Sequence, residues 1–126
     1  KAWQDGEEHA PLWEDATTVA AGIRVPIAVG DFLIIRAVRE SNGFAMALPD
    51  EEIMSVRNEI AKEEGFLLCP EGAATAAAYK RALKEGLVTE DETAVLYNCA
   101  TGLKYPLDPV TNTVDKDKEI DYSQFS

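Results

Sequence analysis

Three short apolar segments, separated by stretches with helical patterning, constrain the fold of this chain more than any other feature of its sequence. They cover residues 44–48, 66–69 and 94–99. Each has the length of a strand and lacks polar alternation, as expected for strands that are covered on both faces. Strands that alternate with helices favour a parallel sheet with right-handed crossovers. The sequence therefore predicts an α/β fold, with a parallel three-stranded sheet flanked by helices.

The clearest helical pattern follows Pro49. Residues 50–52 are all acidic, which suits the positive end of a helix dipole, and Ile53, Val56 and Ile60 recur on one face. Glycine commonly ends a helix in the left-handed conformation, and Gly65 stands at that position. The pattern predicts a helix of about four turns between Pro49 and Gly65.

Two further helices are predicted on either side. An alanine-rich pattern opens near Glu71, carries basic residues in its last turns and stops at Gly86. An earlier helix is predicted from about Val29 to Glu40, before the Asn-Gly pair at 42–43. For the region before Ala20 we predict irregular structure, with a single helical turn near residues 13–20.

Size and charge limit the classes of protein to consider. The 126 residues allow one domain, predicted over residues 1–106, followed by an extended acidic tail over 107–126. The net charge of −11 opposes binding to nucleic acid or to anionic membranes. The apolar segments are far shorter than the roughly 20 residues that span a bilayer. These features predict a soluble, cytoplasmic protein without nucleic-acid or membrane partners.

The start of the sequence and the small size of the predicted sheet lead to two further expectations. The chain begins at Lys1 rather than at methionine, and three strands make a small sheet with uncovered edges. The sequence therefore looks like part of a longer chain, and it predicts self-association. Two cysteines are too few for a disulfide framework and two ligands short of a structural zinc site, so no metal is expected.

Three motifs, in order, resemble the threonine synthase family. The first is Thr18 to Pro26 followed by Gly30 to Ser41, the second is Cys-Pro-Glu-Gly-Ala-Ala-Thr at 69–75, and the third is Asn-Cys-Ala-Thr-Gly-Leu-Lys-Tyr-Pro at 98–106. The resemblance covers roughly residues 16 to 106. It implies the C-terminal part of the larger domain of a fold-type II pyridoxal-phosphate enzyme, a homo-oligomer with a small amino-acid substrate.

The resemblance also implies a lysine that holds pyridoxal 5'-phosphate as a Schiff base and a Gly-rich loop that holds its phosphate. Neither feature is identifiable in these residues. No catalytic residue is therefore assigned, and the chain alone is expected to be inactive.

Four residues are candidates for contact with the cofactor, namely Cys99, Thr101, Gly102 and Glu71. In the resembling family a threonine hydroxyl meets the ring nitrogen, and Cys99 occupies that position here. A thiol is a weaker donor and acceptor than a hydroxyl, and a cysteine at this place also resembles the serine dehydratases. Each candidate has a structural alternative: a buried thiol for Cys99, an ordinary turn for Thr101 and Gly102, and a helix N-terminal acid for Glu71.

Other polar residues have simpler interpretations. Cys69 is expected near Cys99 if their strands are neighbours, without a disulfide. Arg24 is interpreted as paired with an acid, at the surface or in a structural contact, with a substrate-phosphate or interface contact as the alternative. We interpret Asp31 as an N-terminal helix acid, Lys104 as a surface charge and His9 as non-catalytic.

Three functions remain open. The resemblance implies an enzyme that converts O-phosphohomoserine to threonine and phosphate by elimination and hydration. Cys99 favours instead a serine or threonine dehydratase, or another β-replacing relative. The third is a non-catalytic remnant or interaction module that kept the fold and lost the chemistry.

Overall fold

The computed structural model describes residues 1–107 and 113–125. Within these residues the regular structure is helical. The α-helices are α1 (Ala2–Asp5), α2 (Asp31–Glu40), α3 (Asp50–Glu64) and α4 (Pro70–Lys84), and 3-10 turns cover Ala21–Ile23, Gly102–Lys104 and Tyr122–Phe125.

The core lies between α3 and α4. Its buried side chains come from one face of α3, from the alanine face of α4 and from the segment that joins the two helices. Because alanine has no side chain beyond Cβ, the helices approach closely along this face. The predicted apolar face of α3 is confirmed, with Ile60 partly buried at its end. The buried cluster consists of Ile53, Val56, Leu68, Ala73, Ala76 and Ala77.

The ends of the helices follow the local signals in the sequence. Gly65 ends α3 with a φ of 66°, in the left-handed region that favours glycine. Cys69 caps α4, since its Sγ accepts the Gly72 N–H, and Pro70 occupies the first helical position, where its missing N–H costs nothing. The earlier helix begins two residues later than predicted, because Gly30 serves as its N-cap.

Polar side chains reinforce the contact between α3 and α4. The buried Arg57 on α3 donates from Nε to the Leu68 carbonyl at 3.2 Å. Arg81, near the end of α4, pairs with Glu52 and donates to the Ala47 carbonyl at 3.0 Å. The basic end of α4 thus contacts α3 as well as suiting the helix dipole.

The parallel three-stranded sheet is not confirmed. Within the described residues the structure has no strand, and its single bridge joins Leu68 to Thr101 in antiparallel orientation. Two backbone hydrogen bonds flank this bridge: the Cys69 N–H donates to the Ala100 carbonyl at 3.2 Å, and the Gly102 N–H donates to the Leu67 carbonyl at 2.9 Å. Segments 44–48 and 94–99 have no ladder partner among the residues described.

The last predicted strand also lacks the expected burial. Val95 is 90% exposed and Tyr97 is 76% exposed, whereas a strand covered on both faces would bury them. Hydrophobicity indicates that a segment is suited to burial, but a strand also needs a hydrogen-bonded neighbour. That neighbour is missing from the part of the chain that the structure describes, which accounts for the difference.

The N-terminal segment differs from expectation in detail. Within residues 13–20 the structure has a turn at 14–15 but no helix, a 3-10 turn follows at Ala21–Ile23, and α1 lies in the segment expected to be irregular. In the predicted tail, residues 113–125 include one 3-10 turn, while residues 108–112 and 126 lie outside the described residues. Among the helices described, none is long and apolar enough to cross a membrane.

Replacing Ile53 by alanine should lower the free energy of unfolding by about 2–5 kcal/mol, because the substitution leaves a cavity between α3 and α4. Ile53 is only 3% exposed. Urea unfolding followed by helical circular dichroism measures the change. Ile34→Ala is the matched control, since Ile34 on α2 is 59% exposed and should change stability by no more than about 0.5 kcal/mol. Equal effects of the two substitutions would contradict the assigned core.

Candidate functional site

A buried carboxylate joins three separate parts of the chain. Glu71 lies in the first turn of α4 and is 7% exposed. Its Oε1 accepts the Gly22 N–H at 2.6 Å, and its Oε2 accepts the Tyr105 hydroxyl at 2.7 Å. A Cβ atom on residue 22 would lie 2.8 Å from Oε1, so glycine permits this close contact. Glu71 therefore anchors both the Ala21–Ile23 turn and the Gly102–Lys104 turn to the start of α4.

These contacts shift the pKa values of the two acidic groups in opposite directions. Burial by itself would raise the pKa of Glu71, but the hydrogen bonds from Tyr105 and from the Gly22 N–H outweigh it and lower the pKa. The hydrogen bond to Glu71, followed by burial, raises the pKa of Tyr105 to about 12. At neutral pH the pair is therefore an ionised carboxylate that accepts from a neutral phenol.

Two free thiols lie beside this carboxylate. The Sγ atoms of Cys69 and Cys99 are 3.7 Å apart, which confirms the expectation that these residues are close. Cys69 is fully buried and its Sγ donates to Asn98 Oδ1 at 3.4 Å, whereas Cys99 is exposed. The hydrogen bond with Cys69, together with burial, raises the pKa of Cys99. Cys99 thus presents a neutral thiol to solvent at neutral pH.

Cys69, Glu71 and Cys99 also form a group of potential metal ligands. One ligand atom from each lies within 4.8 Å of the others. A closed structural zinc site uses four ligands, and both oxygens of Glu71 already accept hydrogen bonds. The group therefore offers two sulfur atoms and one carboxylate whose oxygens already accept hydrogen bonds. These are fewer ligands than the four of a structural zinc site.

The two remaining candidates, Thr101 and Gly102, lie in the turn that follows Cys99. Thr101 is exposed, and its Oγ1 accepts the Leu103 N–H at 3.3 Å. Gly102 is buried, and a Cβ atom at that position would lie 2.4 Å from the Leu68 carbonyl oxygen. The lack of a side chain at residue 102 thus allows close packing within the chain itself. All four predicted residues belong to one region, around the start of α4 and the turn at 101–104.

Sequence reasoning missed three residues that hold this region together. Tyr105 and Gly22 bind Glu71, and Asn98 accepts from Cys69. A Cβ atom on Gly72 would lie 1.9 Å from Asn98 Oδ1, so this glycine permits the approach of Asn98 to α4. Tyr105, Gly22 and Asn98 fall inside the resembling motifs, but nothing in their local sequence indicated partners so distant along the chain.

Other predicted polar residues lie away from the thiols. Asp31 is the first residue of α2, as expected, and its carboxylate accepts the Ala10 N–H at 2.6 Å. That bond in particular lowers the pKa of Asp31, although burial opposes it. His9 Nδ1 lies 3.2 Å from the same carboxylate, which gives His9 a structural contact. Arg24 and Lys104 are exposed, and Arg24 forms no ion pair within the described part of the chain, contrary to expectation.

An open cleft includes Glu71 among its lining residues. Its volume is about 370 Å³, and its walls include Ile23, Ile53 and Ala74, with Thr75 and Glu71 as polar groups. Cys99 does not line it. The exposed Cys99 thiol therefore lies outside this cleft.

The family model and the similar proteins that match this chain point to the same family. Residues 1–100 match the family model PALP, described as pyridoxal-phosphate dependent enzyme. The threonine synthase of Methanocaldococcus jannaschii is 33% identical over 94 residues, which are 75% of this chain and 23% of that protein. The threonine synthase of Methanosarcina acetivorans is 33% identical over 106 residues, 84% of this chain and 26% of that protein.

A third relative, the threonine synthase of Halalkalibacterium halodurans, is 28% identical over 102 residues, 81% of this chain and 28% of that protein. The chain thus spans about a quarter of the length of the curated relatives that it matches. The family match itself covers most of the chain. This chain therefore belongs to the family of pyridoxal-phosphate dependent enzymes, whose cofactor is pyridoxal phosphate.

Proposed function

We propose that this chain forms one wall of the pyridoxal-phosphate site in an enzyme similar to threonine synthase, which converts O-phosphohomoserine and water to threonine and phosphate. The observation that carries the proposal is the exposed Cys99 thiol, in the motif position that resembles the family's ring-nitrogen contact. Membership of the pyridoxal-phosphate family and the names of the relatives support it.

The residues at this position fit a contact with the cofactor ring. The Cys99 thiol would meet the ring nitrogen, and the exposed Thr101 lies two residues further along the same turn. Cys69 supports Cys99 from the buried side. Glu71 acts here as a positioning residue, because its carboxylate is engaged by Gly22 and Tyr105.

Pyridoxal phosphate, when bound, supplies an electron sink for bond breaking at the substrate α-carbon. Cys99 contributes a neutral group at the ring nitrogen, since the hydrogen bond with Cys69 raises its pKa. A neutral, weakly polar thiol holds a proton on that nitrogen less well than a carboxylate would. Cys99 would thereby moderate the electron sink, which favours elimination or replacement at the β-carbon.

We also propose that the complete enzyme has the fold-type II architecture, with segments 44–48, 66–69 and 94–99 as strands of a parallel sheet. Large apolar side chains in these segments are exposed in this chain, including Phe66 at 51% and Val95 at 90%. Burial of such residues against additional strands would be favourable. A cytoplasmic homo-oligomer, with residues 1–106 as the domain and 107–126 as its acidic tail, belongs to the same proposal.

A second candidate function is a serine or threonine dehydratase. The specific observation in its favour is the thiol of Cys99, where the threonine synthase motif has a hydroxyl. Both reactions would use the same wall of the site, so the substrate distinguishes them.

The two candidate functions predict different products from the enzyme that carries these residues. We expect it to release phosphate from O-phosphohomoserine and to form little ketoacid from serine. Phosphate and ketoacid assays on the same preparation measure both. Ketoacid formation from serine without phosphate release would favour the dehydratase, and the absence of both activities would contradict an enzymatic role.

The 126-residue chain alone should not bind the cofactor covalently at one defined lysine. None of its seven lysines stands in a context that resembles the family's Schiff-base lysine. Borohydride reduction with pyridoxal phosphate, followed by peptide mass spectrometry, should therefore give sparse labelling spread over several lysines. One label per chain at a single lysine would overturn the assignment of that lysine to another part of the enzyme.

The Glu71–Tyr105 hydrogen bond should stabilise the chain between two pH limits. The lowered pKa of Glu71 gives stability that is lost as pH falls through that pKa. The raised pKa of Tyr105 gives stability that is present below pH 10 and lost as pH rises towards about 12. Tyr105→Phe should reduce the alkaline loss, leaving the part that the raised pKa of Cys99 contributes, and should make the acid loss smaller, because the pKa of Glu71 moves back towards its ordinary value. Urea unfolding across pH measures both changes.

Tyr97→Phe is the matched control, since the Tyr97 side chain is 76% exposed. It should leave both limits of the pH profile unchanged. A Tyr105→Phe profile that coincides with the wild type would show that the hydrogen bond does not contribute to stability.

A further inference from the structure

The close approach of Cys69 and Cys99 joins a buried thiol to an exposed one. Their Sγ atoms are 3.7 Å apart, and each cysteine belongs to a segment that is tied to the other by the backbone bonds around the Leu68–Thr101 bridge. A disulfide needs the sulfur atoms about 2.05 Å apart. Rotation of the exposed Cys99 side chain supplies the simplest route to that distance, because its surroundings on the solvent side are open.

We propose that Cys99 and Cys69 form a site of reversible oxidation, which takes low-mass disulfides such as oxidised glutathione and converts the thiol pair to an intramolecular disulfide. This site goes beyond the proposed enzymatic function and does not depend on it. The cysteines of this chain are free in the structure, so the oxidised form is a second state of the same residues.

The exchange proceeds in two balanced steps. The Cys99 thiolate attacks one sulfur of the low-mass disulfide, forming a mixed disulfide and releasing one low-mass thiolate. The Cys69 thiolate then attacks Cys99 Sγ, forming the Cys69–Cys99 bond and releasing the second low-mass thiolate. The two protein thiols are oxidised by two electrons in total, and one low-mass disulfide is reduced to two thiols.

The two cysteines are suited to different roles in this exchange. Only Cys99 is exposed to an incoming oxidant, whereas Cys69 is fully buried. Cys69 caps the N-terminus of α4, where its Sγ accepts the Gly72 N–H at 3.3 Å and lies 3.7 Å from Cys99 Sγ. The geometry therefore makes Cys99 the attacking thiol and Cys69 the resolving thiol.

The groups that face Cys99 slow the first step at neutral pH. The Cys69 thiol and the Glu71 carboxylate lie on its buried side and raise its pKa, and the phenol of Tyr105 binds the same carboxylate. Reaction should therefore accelerate as pH rises above neutrality. Oxidation would also remove the thiol that we propose as the partner of the cofactor ring, a consequence that rests on the proposed function.

The test uses the 126-residue chain without cofactor, treated with oxidised glutathione at mildly alkaline pH. Thiol titration and intact mass should show the loss of both thiols from the monomer, a mass lower by two hydrogen atoms, and recovery with dithiothreitol. A stable glutathione adduct, or disulfide-linked dimers as the main product, would overturn the proposal.

Two variants separate the proposed roles. Cys69→Ser should stop at a glutathione adduct on Cys99, because the resolving thiol is missing. Cys99→Ser should leave Cys69 unmodified in the folded chain and expose it to modification only in urea. Rapid modification of Cys69 in folded Cys99→Ser would contradict the assigned order. Circular dichroism shows whether each variant folds. If either does not, the product formed by the wild-type chain still tests the proposal, because an intramolecular disulfide supports it and a stable glutathione adduct or a disulfide-linked dimer overturns it.

Discussion

The hydrogen bonds to the Glu71 carboxylate tie the two turns beside the proposed site to the start of α4. This side chain is buried at the start of α4, where a charged group requires partners. Gly22 supplies one from the N-terminal third of the chain, and Tyr105 supplies the other from the segment after Cys99. Without Glu71, these two turns would have no common polar anchor at the start of α4.

The packing of α3 against α4 provides the rigid support for that carboxylate. The alanine face of α4 allows a close approach to Ile53 and Val56, and Arg57 joins α3 to the Leu68 carbonyl. Leu68 in turn leads into Cys69, which caps α4, and bridges to Thr101. The core, the cap of α4 and the two thiols are therefore connected by direct contacts. A substitution that shifts the core should also shift the position of Cys99.

The sequence predicted the helices well because their signals are local. Acidic residues after Pro49, the face of Ile53 and Val56, and Gly65 at the end together define α3 within a few residues. The proximity of Cys69 and Cys99 was also anticipated, although the neighbouring parallel strands that motivated it are absent from the described residues. The strands were not recovered, since a strand depends on distant hydrogen-bond partners that a local pattern does not contain. The same limit explains why Tyr105 was missed: its role depends on Glu71, 34 positions away.

The proposed role of Cys99 is that of a neutral partner for the cofactor ring nitrogen. Nitrogen NMR of the enzyme that carries these residues, loaded with pyridoxal phosphate labelled at the ring nitrogen, tests it most directly. We expect a largely unprotonated nitrogen in the wild type and a protonated one in Cys99→Asp, because a carboxylate holds the proton there. A ring nitrogen that is protonated in the wild type, with a resonance that Cys99→Asp leaves unchanged, would contradict the claim.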